Sequence, residues 1–439
     1  MKPHDDPGAR RLAAAPSEGD ARAAGPQPGR RGLLLGLAGG ALGLGLGSQA
    51  KAEPAETLPP GDDGTQDSQL FYGLHQSGVT TPQPAAALIA SFDVLAEDRA
   101  GLERLFRTLT EQIAFLMKGG EAPTLDPKYP PPDNGLLGSA VFPDNLTVTV
   151  ALGASLFDDR YGLQKLKPTR LISMEQFPND ALEAHLCDGD IALQFCSNTA
   201  ETNIHALRDI LRRTPDLLSL RWKIDGFLPP HTIKKLGKET VRNLLGFKDG
   251  TANLDASDEK LMNEIVWVQP NADEPAWTSG GTYQAVRIIR MFVERWDRTA
   301  LVEQQQIMGR EKAGGAPLTY AHEHDAPDYA ADPDGKRIPL TAHIRLANPR
   351  TAGTDPSRIL RRGYNYSRGV TNAGQLDMGL LFVCFQSDLA AGFLSVQTRL
   401  NGERLEEYIK PIGGGYFFVL PGVQSKDDFL AEGLLRASA

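Results

Sequence analysis

An α+β fold with antiparallel sheets is predicted for this 439-residue chain. Three observations predict it. Short runs of alternating, β-branched residues read as strands. Longer stretches with apolar residues three and four apart read as helices. The two types alternate in a βαββαβ-like order, and that order comes twice.

The first half gives the clearer pattern. Residues 84–98 contain Ala85-Ala86-Ala87-Leu88-Ile89-Ala90-Ser91-Phe92-Asp93-Val94-Leu95, a strand entered through a loop. Residues 99–117 follow, with Leu102, Leu105, Phe106, Leu109, Ile113 and Leu116 at helical spacing. Residues 146–152 alternate and are rich in Val and Thr, and residues 191–196 form a second apolar run; both read as strands. A helix over 199–214 and a strand over 218–227 complete a ferredoxin-like half. The second half repeats the theme with a strand at 283–294, a helix at 298–312, a strand at 379–386, a helix at 389–400 and a strand at 416–420. Between them lies a loop-rich insert, residues 320–334, with His322-Glu323-His324-Asp325, Asp328, Asp332 and Asp334. A solvated acidic loop and a His-x-His metal site are both readings of it, and the loop is favoured because no convergent fourth ligand follows from the spacing.

The N-terminus reads as a targeting segment. Arg30-Arg31 precede a glycine-rich apolar run over 32–47, and Ser48-Gln49-Ala50-Lys51-Ala52 resembles a processing site, with cleavage expected after Ala52. Twin arginines and mild hydrophobicity point to the Tat route, which exports folded proteins to the periplasm. The run is shorter than the ~20 residues of a membrane span. Residues 1–52 are therefore assigned to a Tat signal peptide and 53–67 to a disordered linker rich in Pro, Glu, Asp and Gly. A net charge of −9 excludes a nucleic-acid partner, which would need a basic face. Cys187, Cys196 and Cys384 lack metal-binding spacing and read as small buried apolar residues.

The chemistry-bearing stretch is Gly246-Phe247-Lys248-Asp249-Gly250-Thr251-Ala252-Asn253. Glycines on both sides of an acid allow a tight turn and close approach to a flat ligand. Downstream come Ala342-His343-Ile344-Arg345-Leu346-Ala347-Asn348-Pro349-Arg350 and Leu360-Arg361-Arg362-Gly363-Tyr364. An acid, a histidine and an arginine could share one site: His for a metal, Asp for protons, Arg for negative charge. On spacing alone they equally fit a bare turn, a core histidine and a solvated strand end.

These segments resemble the dye-decolourising peroxidase family of haem enzymes, in its EfeB-like deferrochelatase/peroxidase branch, from about Phe71 to about Leu435. Further matches are Phe71-Tyr72-Gly73-Leu74-His75-Gln76-Ser77-Gly78, Gly309-Arg310-Glu311-Lys312 with Gly315-Ala316-Pro317-Leu318, and Ile412-Gly413-Gly414-Gly415-Tyr416-Phe417-Phe418. The resemblance implies two ferredoxin-like domains, residues 68–235 and 236–439, with haem b (iron protoporphyrin IX) bound in the C-terminal half or between the halves. It implies His343 as proximal iron ligand, Asp249 as distal proton relay and Arg361 as distal positive charge, with Arg362 the runner-up. Gly250, Thr251 and Ala252 would line the haem beside the acid. Asn348, Pro349 and Arg350 would contact it on the proximal stretch, and Arg350 would meet a propionate. The proximal histidine needs an acceptor on its second nitrogen, for which Asp388 is a candidate. Some branches carry an asparagine where this chain has Gly363. The implied substrates are hydrogen peroxide and a dye-like or other small electron donor; electrons from large donors could enter through surface aromatics, for which Tyr364, Tyr366 and Trp296 are candidates, though packing alone would also explain these residues. The alternative within the branch is extraction of iron from haem with the porphyrin left intact, together with a ferrous-iron permease and a periplasmic partner. A homodimer is expected.

Overall fold

The computed structural model describes residues 64–230, 240–270 and 273–438. The predicted signal segment, most of the linker and the boundary at 235/236 lie outside the described residues. The first half contains β1 (Ala86–Val94), α1 (Arg99–Lys118), the short pair β2 (Gly120–Glu121) and β3 (Ala140–Val141), then β4 (Thr147–Gly153), β5 (Ile191–Ser197), α2 (Ala200–Arg213) and β6 (Leu218–Phe227). The second half contains β7 (Thr282–Met291), β8 (Leu360–Arg361), β9 (Tyr364–Val370), β10 (Leu376–Gln386) and β11 (Ile409–Val419).

All pairings between these strands are antiparallel. The first half runs β4-β5-β1-β6 across the sheet and the second β11-β7-β10-β9. In each, the first and third strands are central, which is the ferredoxin-like order. The halves are hydrogen-bonded to one another through Phe417–Val419 of β11 on Ala151–Gly153 of β4, and through Phe227 of β6 opposite Asn365 of β9. A continuous nine-stranded sheet results, and the β7–β10 pairing brings its order back on itself. Residues 58–439 form one compact unit.

Helix α1 exists because its apolar stripe has a core to enter. Leu102, Leu105, Phe106, Leu109, Ile113 and Leu116 are all buried against the sheet. Asp98 caps its start, accepting from Gly101 N at 2.8 Å. The second helix buries Ala206, Leu207 and Ile210 in the same core. The opposite sheet face carries a second core, built around Ile89, Trp222, Ile224, Val286, Ile288, Val383 and Phe417.

Several element boundaries differ from expectation. The last strand starts at Ile409, earlier than predicted, because Gly413-Gly414-Gly415 masks its pattern. Those glycines serve close approach: a Cβ on Gly414 would lie 2.0 Å from the Val286 carbonyl oxygen. The helix expected over 298–312 is shorter, Leu301–Met308, and stops at Gly309. The strand expected to reach 294 ends at Met291, and Val293–Trp296 makes one helical turn. The helix expected over 389–400 opens with a π-turn at Ala390–Leu394 before the α-helix Ser395–Leu400. Strand β9, with Asn365, Ser367, Arg368 and Gly369, has no readable alternation and was not expected. The three cysteines are buried and free, as expected. Among the described residues no helix is long and apolar enough to cross a membrane.

Candidate active site

Asp249, Gly250, Thr251, Ala252, His343, Asn348, Arg350 and Arg361 line one cavity in the second half, which holds about 1900 Å³ of space free of protein atoms, its open mouth included. Pro349 is the exception among the expected residues: it is half-buried, outside the lining, and serves the turn between Asn348 and Arg350. There Arg350 adopts φ 57°, with its N–H donating to the Asn348 side chain at 3.1 Å.

The acid-bearing loop is held residue by residue. Phe247 is buried and packs edge-on against Trp296, ring centres 5.9 Å apart. Arg242 donates to the carbonyls of Gly246 (3.0 Å), Lys312 (2.7 Å) and Ala313 (2.9 Å). Gly246 at φ 83° and Gly250 at φ 133° occupy conformations that side chains disfavour, which gives the two flanking glycines a physical reason. Lys248 and Thr251 both donate to Glu323, at 2.5 and 2.9 Å. Asn253 grips the backbone of Arg361 on both sides: its amide donates to the Arg361 carbonyl (2.7 Å), and its oxygen accepts from the Arg361 N–H (2.8 Å). The loop and the arginine are therefore one unit.

With its backbone fixed, Arg361 donates to Asp249 Oδ1 at 2.5 Å. Asn243 approaches Asp249 Oδ2 at 3.4 Å. Arg362 turns the other way. It is buried and donates to the carbonyls of Thr81 and Pro82. The adjacent arginines thus divide into one cavity-facing charge and one internal strut.

In the same cavity lining, His343 begins the short helix His343–Ala347. Arg399 holds the end of that helix by donating to the carbonyls of Leu346 (3.2 Å) and Ala347 (3.0 Å). Arg345 anchors its middle to Asp332 Oδ2 (3.1 Å) and to the Ile338 carbonyl (2.9 Å). The acceptor for His343 is Glu403, not Asp388. Nδ1 lies 2.8 and 3.1 Å from the two Glu403 oxygens. Asp388 instead meets Arg170 at 3.4 Å and caps Ala390 and Ala391. Sixty residues separate His343 from Glu403, and no local pattern marks the pair. Burial by itself lowers the pKa of His343; the Glu403 charge and hydrogen bond outweigh it, aided by Asp249 and opposed by Arg361, so the net direction is upward. With Nδ1 occupied, Nε2 is the ring nitrogen left for the cavity.

The insert supplies structure to both walls. Asp332 accepts from the N–H groups of Lys336, Arg337 and Ile338 and pairs with Arg345. Glu323 serves the opposite wall. Burial would raise its pKa, but hydrogen bonds from Lys248, Thr240 and Thr251 and the Lys248 charge bring it down to about 2. A depressed acid stabilises the fold above its unfolded pKa, about 4.3 for Glu, and loses that contribution only as pH falls toward the folded value. Hydrogen exchange of the 246–253 amides, corrected for intrinsic rate, should therefore show steady protection down to about pH 4.3. Loss of protection between about pH 6 and pH 5 would contradict this.

A second expectation concerns Gly250. A Cβ there would meet Thr240 Cγ2 at an ordinary 3.5 Å, so the penalty lies in backbone strain. Gly250→Ala should cost about 1–3 kcal/mol in urea unfolding. A change under about 0.5 kcal/mol would show that the loop tolerates the substitution.

Tyr364, Tyr366 and Trp296 are not surface residues. They are at most 2% exposed. The Trp296 indole donates to the Leu245 carbonyl at 2.9 Å, and the two tyrosines pack in the second core. Their role here is packing.

The cavity fits a flat, iron-bearing, doubly acidic macrocycle. Leu254, Ile289, Met291, Met308, Leu380, Phe382, Phe393, Val396 and Leu405 supply apolar walls. Lys248 and Arg287 are paired with Glu323 and Asp180, and the remaining cations Arg310, Arg350, Arg358, Arg361 and Arg399 still outnumber the carboxylates of Asp249, Glu403 and Glu406 around it. Buried donors without protein partners also sit on a lining residue, Arg287 (Nε and Nη1).

Comparison with known proteins gives the same direction. The family model "Dyp-type peroxidase, N-terminal" matches residues 76–228, and "Dyp-type peroxidase, C-terminal" matches residues 240–424. The chain is 59% identical over 414 residues to a protein of Yersinia pseudotuberculosis named deferrochelatase, covering 93% of this chain and 95% of that one. A deferrochelatase of Escherichia coli is also 59% identical, covering 93% and 97%. Among solved structures, ferric DtpA from Streptomyces lividans superposes with a TM-score of 0.77 at 31% identity, over 86% of this chain and 100% of that one. The DyP-type peroxidase from Cellulomonas bogoriensis gives 0.76 at 35% identity, over 85% and 99%.

Proposed function

The chain belongs to the Dyp-type peroxidase family, and from that membership we propose a haem-dependent peroxidase in which Asp249, Arg361 and His343 perform the roles their placement suits. The observation that carries this reading is one cavity with Glu403-backed His343 on one wall and the Asp249–Arg361 pair on another.

In this reading haem b would be held through His343 Nε2, with Gly250, Thr251, Ala252 and Asn348 beside it and Arg350 to meet a carboxylate. Haem, when bound, would supply the two electrons for O–O cleavage, from its iron and macrocycle together, and two one-electron donors would replace them. The chain's own residues manage protons and charge. Asp249 would take a proton from one peroxide oxygen and deliver it to the departing one. Arg361 offers fixed positive charge where negative charge grows. The balance is one hydrogen peroxide, two protons and two electrons to two waters. Glu403 holds the His343 ring and its tautomer.

A second reading is favoured by the name of the relatives at 59% identity, deferrochelatase. Here haem is substrate: two protons from the medium replace the iron on the pyrrole nitrogens, iron leaves, and the porphyrin stays intact. The same cavity serves both. Export by the Tat route to the periplasm, partnership with a ferrous-iron permease and a periplasmic protein, and a homodimer belong to this proposal as well.

The deciding experiment has two arms. Purified chain loaded with haem is given peroxide and a dye under air; separately it is incubated with haem anaerobically without peroxide. Dye oxidation supports the peroxidase, and free protoporphyrin in the second arm supports iron extraction. Neither product from a haem-loaded sample would overturn both.

A further inference from the structure

We propose that Glu323 is a positioning residue: from the insert, it fixes the loop that carries Asp249 so that this carboxylate stays opposed to Arg361 at the cavity wall. The inference rests on the role assigned above to Asp249. Glu323 itself is outside the cavity lining, so it acts through the loop and not on a ligand.

One carboxylate grips the loop at three points. Glu323 accepts from Lys248 Nζ (2.5 Å) and Thr251 Oγ1 (2.9 Å), which lie on either side of Asp249-Gly250. It also accepts from the Thr240 hydroxyl, near where the described chain enters this loop. Both members of the Lys248–Glu323 ion pair are largely shielded from water, with side chains 9% and 12% exposed, so the pair is screened much less than a surface contact. The clamp is itself anchored. Arg310 donates to the Glu323 carbonyl (2.9 Å) and to the Gly315 carbonyl (2.6 Å), while Asp325 accepts from the N–H groups of Ala321 and His322.

Asp249 needs such support. Its side chain contacts Arg361, a partner whose side chain is 31% exposed, and it has only a long 3.4 Å approach from Asn243. A partly open pair of that kind fixes geometry less firmly than a buried one. A displacement of the order of 1 Å at a reacting group costs up to about a hundredfold in rate. The acid's placement therefore comes from its backbone, and Glu323 holds the residues on either side of it, Lys248 and Thr251, alongside the Arg242 contact at Gly246 and the Asp249 N–H bond to the Val241 carbonyl.

Glu323→Gln in the full chain tests this, with the Gly246–Asn253 amides followed by hydrogen exchange both with and without haem. Exchange should accelerate at least about tenfold in both states, as expected of a loop that has lost its tether. In the loaded protein the second-order rate with peroxide should fall about 10- to 100-fold, with KM for the electron donor unchanged. Lys248→Met combined with Glu323→Gln should be no worse than either alone, because the two act as one unit. If Glu323→Gln fails to fold, Thr251→Val removes a single tether and should move exchange in the same direction. Unchanged exchange in whichever variant folds would overturn the proposal. A wild-type chain that binds haem yet consumes no peroxide would instead overturn the assigned function, while the exchange comparison still decides the role of Glu323.

Discussion

Asp249→Asn should lower the rate of peroxide consumption by about 10²–10⁴-fold, the span that a positioned proton carrier contributes, while the chain still folds and still takes up haem. The amide matches the carboxyl in shape and can accept from Arg361, so the 2.5 Å contact has a substitute. What it lacks is the capacity to accept a proton and pass it on. Folding should survive because the lost ion pair is partly open, with side chains 22% and 31% exposed, and such pairs contribute ~0–1 kcal/mol. Arg361 also keeps its place without the acid, since Asn253 clamps its backbone from both sides. Stopped-flow peroxide consumption, normalised to bound haem, measures the effect. A variant within about threefold of wild type would remove Asp249 from the proton path, because so small a change is under 1 kcal/mol.

The readable parts of this chain are those where local chemistry decides the structure. Helix α1 was legible because a 3.6-residue apolar stripe has one common solution, and β1, β4, β5 and β6 because their alternation or apolar runs are short and bounded. Asp249 and Arg361 drew attention as a glycine-flanked acid and an arginine pair, yet only the family resemblance told Arg361 from Arg362. The fold makes that choice by register: Arg361 lies opposite Cys384 on β10, and its neighbour's side chain is sent to the Thr81 and Pro82 carbonyls.

What was hidden are partnerships between distant segments. Glu403 meets His343 across sixty positions, and Glu323 meets Lys248 across seventy-five. Neither has a spacing rule, because each contact is created by the tertiary fold. The acidic insert read as a solvated loop; two of its acids, Glu323 and Asp332, are instead mostly buried and tie down the opposite walls of the cavity. Strand β9 was hidden for another reason. Its first three residues are buried and its last four exposed, and Asn365 donates to the Arg242 carbonyl at 3.0 Å, so no apolar alternation runs through it.

Glu403→Gln should have the second large effect, and its sign separates the two functional readings. The Glu403 side chain is only 4% exposed and approaches Nδ1 at 2.8 Å. Its charge and hydrogen bond are what overcome burial and raise the His343 pKa. The same carboxylate makes the imidazole a stronger donor through Nε2. Glutamine keeps the volume and one acceptor oxygen but removes the charge, so the ring should bind iron less tightly and the ferric state should lose stability relative to the ferrous. The reduction potential should therefore rise, and haem affinity or peroxidase rate should fall by about 10–100-fold. If the chain also extracts iron, a weaker ligand bond opposes departure less, and anaerobic protoporphyrin release should quicken as peroxidase activity declines. Spectroelectrochemistry and haem titration of the variant read the first effect, and porphyrin fluorescence reads the second. An unchanged potential together with unchanged haem affinity would mean that His343 does not carry the iron.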